Sequence, residues 1–213
     1  MVKQKVNRVI KFLITSSALL SSGWGFVMPV FAIFIFENIV KDGPNEAAKI
    51  AGFAFFIYWF VKSLLQIPIS RYLDAHSGEK DDFWFMVLGL IISGLPPFGF
   101  LLSSEVWHIY AFEALHAFSM ALFIPSWYAI FTRHMDRGRE AFEWGLDSTF
   151  LGIGTAITGA IGGITVALFG FTAIFVSAGI ISISSGLILL FIYKDILPKD
   201  HISPWFFMRR PHL

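Results

Sequence analysis

The sequence predicts an all-α integral membrane protein of six transmembrane helices. Three observations predict it. Hydrophobic residues make up 56% of the 213-residue chain and charged residues only 15%, where a soluble domain carries about 25% charged residues. Mean hydropathy is +0.69. So much apolar surface would drive aggregation in water, whereas a bilayer accommodates it. The apolar residues also fall into six runs of spanning length, and the basic residues collect on one side of them.

A spanning helix needs about 20 mostly apolar residues. The first run, Phe12–Phe36, follows Lys3, Lys5, Arg8 and Lys11. It is longer than the apolar core of a cleaved signal peptide, about 7–15 residues, so it is expected to stay in place as the first span. Ser16, Ser17, Ser21, Ser22, Gly23 and Gly25 make it unusually polar and flexible. The second run, Ile50–Ile69, carries Lys62, about 10 Å from one end at 1.5 Å per residue. The third, Phe83–Leu102, should kink at Pro96 and Pro97. The fourth, Val106–Phe131, holds Glu113 and His116 one turn apart on one face, with Met120 a further turn on.

The fifth run, Leu146–Leu168, is rich in small residues. Gly152, Ala156, Gly159 and Gly163 form a stripe that would let another helix approach closely. Glu143 and Asp147 stand at its start, where acids complement a helix dipole. The sixth run is Phe171–Tyr193. Trp84, Trp107, Tyr128, Trp144 and Tyr193 flank run ends as an interfacial belt. On these bounds residues 1–194 form one transmembrane domain and 195–213 a cytoplasmic tail. Trp205, Phe206, Phe207, Arg209 and Arg210 of the tail suit the inner membrane surface.

Lys and Arg set the orientation. With the N-terminus inside, thirteen cations fall inside and only Lys41 and Lys49 outside; the sixteenth, Lys62, lies within a span. Both termini are therefore expected in the cytoplasm, with the protein in the cell membrane. Pro29 is followed by Val-Phe-Ala-Ile-Phe, and Pro125 by Ser-Trp-Tyr-Ala-Ile-Phe. Each proline falls late in the first helix of a set of three, as in a 3+3 inverted repeat.

Several functions are excluded. With no Cys there are no disulfides and no thiolate metal sites. A net charge of +1 offers nothing to nucleic acid. No His-x-x-x-His pair or phosphate loop occurs, so no metal or cofactor is expected. The Gly-x-Ser-Gly of intramembrane serine proteases is absent. The stretch Asp136-Arg137-Gly138-Arg139 lacks the metal-binding acids of CDP-alcohol phosphotransferases. An enzyme is not expected.

The segment QIPISRYLDAHSGEKDDF, after the second run, resembles the signature loop between helices two and three of the major facilitator superfamily, G-x-L-x-D-R-x-G-R-K. Asp74 takes the place of the motif's Asp, Ser70 of its first Gly, and Gly78 of its second Gly, one residue late. Ala75 replaces the usual Arg; Glu79 and Lys80 hold the charged end. Gly154, Thr158, Gly159, Gly162 and Gly163 resemble the family's fifth-helix antiporter pattern, G-x-x-x-G-P-x-x-G-G. Thr158 replaces a Gly there and Gly159 the Pro, which leaves antiport direction open.

The resemblance implies a six-helix bundle equivalent to one half of a twelve-helix transporter. It implies transport of a small solute by alternating access, as a homodimer or with a second half. Asp74 would lock the cytoplasmic side, with Arg71 or Arg133 as partner. Helices one and four would line the path, and Lys62, Glu113 and His116 would serve substrate or proton, since carboxyl and imidazole groups both carry protons. A second reading stays open: a membrane assembly subunit or transporter relic without transport. A polar, accessible cavity would favour transport, and a sealed apolar core the subunit.

Overall fold

The computed structural model describes residues 6–40, 43–76 and 78–196. Lys3, Lys5, Lys41, Lys199 and the aromatic and basic tail residues lie outside the described residues. Every regular element among the described residues is helical. α1 (Arg8–Val27) starts at Asn7, whose side chain accepts from the Val9 N–H at 2.9 Å, satisfying one of the orphan donors of the first turn. A 3-10 turn, Met28–Val30, bends the chain at Pro29 into α2 (Phe31–Asn38). α3 (Pro44–Ala75) follows, then α4 (Glu79–Ser93), whose first turn carries Glu79, Asp81 and Asp82 on the positive end of the dipole.

α4 stops at Gly94 and α5 (Leu95–Leu101) resumes the same course. Pro96 and Pro97 sit in the first turn of α5, where a missing N–H costs nothing, so the kink they were expected to make falls just before them. α6 (Val106–His134) is closed at its start by a reciprocal pair of bonds between Glu105 and His108 and ends on the basic pair Arg133 and His134. Pro125 lies inside this unbroken helix, unlike Pro29 in its turn. α7 (Glu140–Leu189), a short 3-10 turn and α8 (Tyr193–Ile196) complete the described chain.

Five helical stretches among the described residues are long and apolar enough to cross a membrane: Arg8–Asn38, Pro44–Ala75, Glu79–Leu101, Val106–His134 and Glu140–Ile196. The last has 57 residues and would measure about 85 Å as a straight rod. It is folded back on itself. Gly170 has φ 74° and ψ 177°, a left-handed backbone that glycine adopts without steric cost. Contacts along α1 show the reversal. Before Gly170 the numbering climbs with α1: Asp147 meets Ser17, Gly154 faces Ser22, and Gly162 faces Phe26. After it the numbering descends: Phe171 and Phe175 pack on Phe34, Gly23 approaches Ala178 and Ser182, and Phe191 meets Phe12. Arg8 then pairs with Asp195 at 3.2 Å. The fifth and sixth predicted runs are thus the two antiparallel limbs of one continuous helical stretch.

Two apolar cores form toward the two ends of the bundle. One gathers Ile10, Leu13, Phe83, Met86, Phe131 and Ile192 near the start of α1. The other gathers Val30, Phe34, Phe100, Ile109, Ile174 and Phe175 at the opposite end. Trp24 packs against both and lies between them. α3 is peripheral, packed mainly on α6 and α2, with Phe53, Phe56, Phe60, Leu64 and Ile67 exposed. In lipid such a face is satisfied by acyl chains, while the helix satisfies its own backbone.

Candidate solute cavity

α1, the Pro29 turn, α2, α3 and α6 line an open-sided cavity of about 390 Å³. Its walls are largely aromatic: Trp24, Phe31, Phe55, Tyr58 and Trp59. Its acid and imidazole are Glu113 and His116, 8% and 9% exposed. Because α6 carries them three residues apart, they share a face, and His116 Nδ1 lies 3.7 Å from Glu113 Oε2. The indole of Trp24 stacks on the His116 ring with centroids 3.5 Å apart and planes 5° from parallel. Tyr58 approaches the same ring at 4.7 Å. Trp24 Nε1 and His116 Nδ1 are buried and make no hydrogen bond within the protein. Buried polar atoms of this kind ordinarily have a partner, and both belong to residues that line the cavity together with Glu113. Glu113 and His116 have a Glu-x-x-His spacing, yet no group of three His, Asp or Glu able to hold a metal forms among the described residues.

Lys62 is half-buried and stands beside the cavity, outside its lining. Its ammonium lies 4.3 Å from the Trp59 ring centroid and 5.9 Å from that of Tyr58, within cation–π range. It holds two wall residues from behind. The polar residues of α1 divide by role. Ser21 reaches the cavity, whereas Ser16, Ser17 and Ser22 bond to carbonyls of their own helix and Gly25 admits Thr158.

The motif segment after the second run is a helix–turn–helix. Ser70, Arg71 and Asp74 lie on the last turns of α3, Gly78 precedes α4, and Lys80 is in its first turn. Asp74 is exposed and makes no ion pair among the described residues. Neither expected partner, Arg71 or Arg133, pairs with Asp74 among the described residues. Arg133 bonds to Asp82, which is 1% exposed at the head of α4. The reason is position, since Asp82 faces the end of α6 and Asp74 points out from α3. His134 lies 3.7 Å from Glu79 in the same α4–α6 junction, and the Asn7 side chain donates to the His134 carbonyl at 3.3 Å.

In the fifth-helix pattern, Gly154, Thr158 and Gly162 face α1. A Cβ on Gly154 or Gly162 would press on Ser22 or the Phe26 backbone. Gly152 and Gly163 meet nothing within 4 Å, and Gly159 has only ordinary contact distances. Gly152, Ala156 and Gly163 of the expected stripe therefore lie on the outer face, Gly159 borders α1 at ordinary contact, and the close packing uses the adjacent face. Of the two acids expected at the helix start, Glu143 lies in the first turn of α7 and Asp147 does not. α7 begins at Glu140, so Asp147 stands two turns inside the helix, beyond the dipole's reach, and bonds to Ser17 at 2.7 Å.

Sequence reasoning placed Glu113 and His116 together and missed Trp24 and Tyr58. The first pair is local in α6, while Trp24 and Tyr58 come from separate helices whose packing no short-range spacing records.

A polytopic helical bundle with an aromatic, partly charged cavity between two apolar cores is the class these features define. The family model of the Major Facilitator Superfamily matches residues 13–207. The chain belongs to that family, whose members are membrane transporters of solutes. No curated protein matches the chain.

Proposed function

We propose that the chain carries a small solute across the cell membrane by alternating access, with the α1–α3–α6 cavity as the binding site. The observation that supports this best is the cavity's placement. It lies between two apolar cores, beside the only stacked Trp–His pair among the described residues, with Glu113 in reach. Aromatic walls suit an apolar body, and the Trp24 and His116 nitrogens with Glu113 suit one polar or charged group. Such a cavity favours transport over a purely structural subunit.

The chain is read as six spans in two sets of three, with both termini in the cytoplasm. The reversal at Gly170 and the Arg8–Asp195 pair support that count, because they return the chain end to the face where α1 begins. A second bundle, related by an axis along the membrane normal, would face this one as a second copy or a separate half. Exposed Asp74 at the end of α3 is then placed to meet a cation or helix N-terminus of the facing bundle, locking that side and releasing it as the bundles rock apart. Residues 1–194 constitute the transport domain in this reading.

Reconstitution into liposomes tests it, using a panel of small amines, acids and neutral solutes with and without a proton gradient. At least one solute should accumulate, and its uptake should lose its pH dependence in the Glu113→Gln, His116→Ala double variant. Unaltered pH dependence in that variant would remove these residues from the mechanism; no flux of any solute would remove the function.

A further inference from the structure

A second protonatable site lies outside the cavity, where the first limb of α7 packs on α1. Glu143 is 0% and Asp147 9% exposed, and they sit one turn apart on the same face of α7. Neither makes an ion pair among the described residues. The charged groups on the surrounding elements are engaged elsewhere or turned away. On α1, Arg8 pairs with Asp195 and Lys11 is exposed. On α6, Arg133 pairs with Asp82 of α4, His134 lies by Glu79, and Tyr128 is exposed. At the head of α7, Arg139 pairs with Asp136 at 3.4 Å. Glu143 takes one bond, from the Asp136 N–H at 3.2 Å, and its buried Oε1 has no partner. With two buried carboxyl groups one turn apart and neither in an ion pair, the hydrogen bonds around them decide which one holds a proton.

The bonding of Ser17 indicates which one. Its Oγ lies 2.7 Å from Asp147 Oδ1 and 3.1 Å from the Ile14 carbonyl. Both partners are acceptors if Asp147 is ionised, and a serine has one proton to give. A proton on Asp147 resolves the conflict, with the carboxyl O–H donating to Ser17 Oγ and the Ser17 O–H donating to Ile14. We propose that Asp147 is a proton-binding site of this protein, occupied at neutral pH, with Ser17 as its switching partner. On release, the carboxyl O–H breaks and its proton passes to water. The Ser17 hydroxyl then turns from Ile14 to the new carboxylate. Ser17 is seven residues from Trp24 on α1, about 10 Å along the helix and two turns on the same face. The protein thus carries protonatable groups at two depths along one helix, at the cavity and nearer the start of α1.

Infrared difference spectroscopy on the full chain in lipid tests the site without any solute, so its outcome is separate from that of the transport assays. A carboxylic-acid carbonyl band should be present at neutral pH, fade on alkalinisation, vanish in Asp147→Asn, shift in Ser17→Ala and survive in Glu113→Gln. An unchanged band in Asp147→Asn, or its loss in Glu143→Gln instead, would overturn the assignment. Should Asp147→Asn fail to fold, Ser17→Ala decides: an unshifted band refutes the pairing.

Discussion

The four buried acids among the described residues have four different surroundings, and those surroundings sort their roles. Asp82 has Arg133; Glu113 has an imidazole; Asp147 has one hydroxyl; Glu143 has one backbone N–H. Only Asp82 is matched by a permanent cation. Its pairing should stabilise the junction of α4 and α6, because removing one partner strands a buried charge. Arg133 is itself 42% exposed, which lowers the cost below that of a fully buried pair. We expect Arg133→Met to lower unfolding free energy by about 2 kcal/mol, and the Asp82→Asn, Arg133→Met double variant to recover most of it. Chemical unfolding in mild detergent measures both. The local pair Glu113–His116 was readable from the sequence because a helix puts residues three apart together. The Asp82–Arg133 pair was not, since it joins residues 51 positions apart on two helices whose packing no local spacing records.

Between elements, the fit of α1 against α7 is set by side-chain size. α7 has two stripes of small residues, and sequence alone does not say which of them meets a neighbour. Periodicity marks a small-residue face without marking its partner. The structure gives Gly154, Thr158 and Gly162 to α1 and leaves Gly152 and Gly163 open. We therefore expect Gly154→Leu and Gly162→Leu to destabilise the bundle by about 1–3 kcal/mol through overpacking, and Gly152→Leu and Gly163→Leu to unfold like the parent in the same assay. Equal losses in both pairs would mean the outer stripe is also covered. The break between the fifth and sixth runs was legible, because Gly170 separates Leu168 from Phe171. That a single residue suffices for it was not legible, since a positive φ is a property of the fold.

For the whole molecule, hydropathy found the long apolar helical stretches, since lipid requires long apolar segments with internally bonded backbones, although the second run, Ile50–Ile69, falls six residues short of Pro44–Ala75 at each end. The arrangement of those helices around a cavity came from packing. The N-terminal end of α1, the end of α6 and α8 meet at one face through Asn7–His134 and Arg8–Asp195, while the cavity lies deeper along α1. Transport requires that cavity to open to each side in turn. The native chain has no cysteine, so one introduced thiol reports its own access. Ser21→Cys lines the cavity. In reconstituted vesicles it should react with a membrane-impermeant maleimide added to either side, with Ser104→Cys and Gly138→Cys each reacting from one opposite side only. Labelling of Ser21→Cys from a single side, or from neither, would contradict alternating access through this cavity.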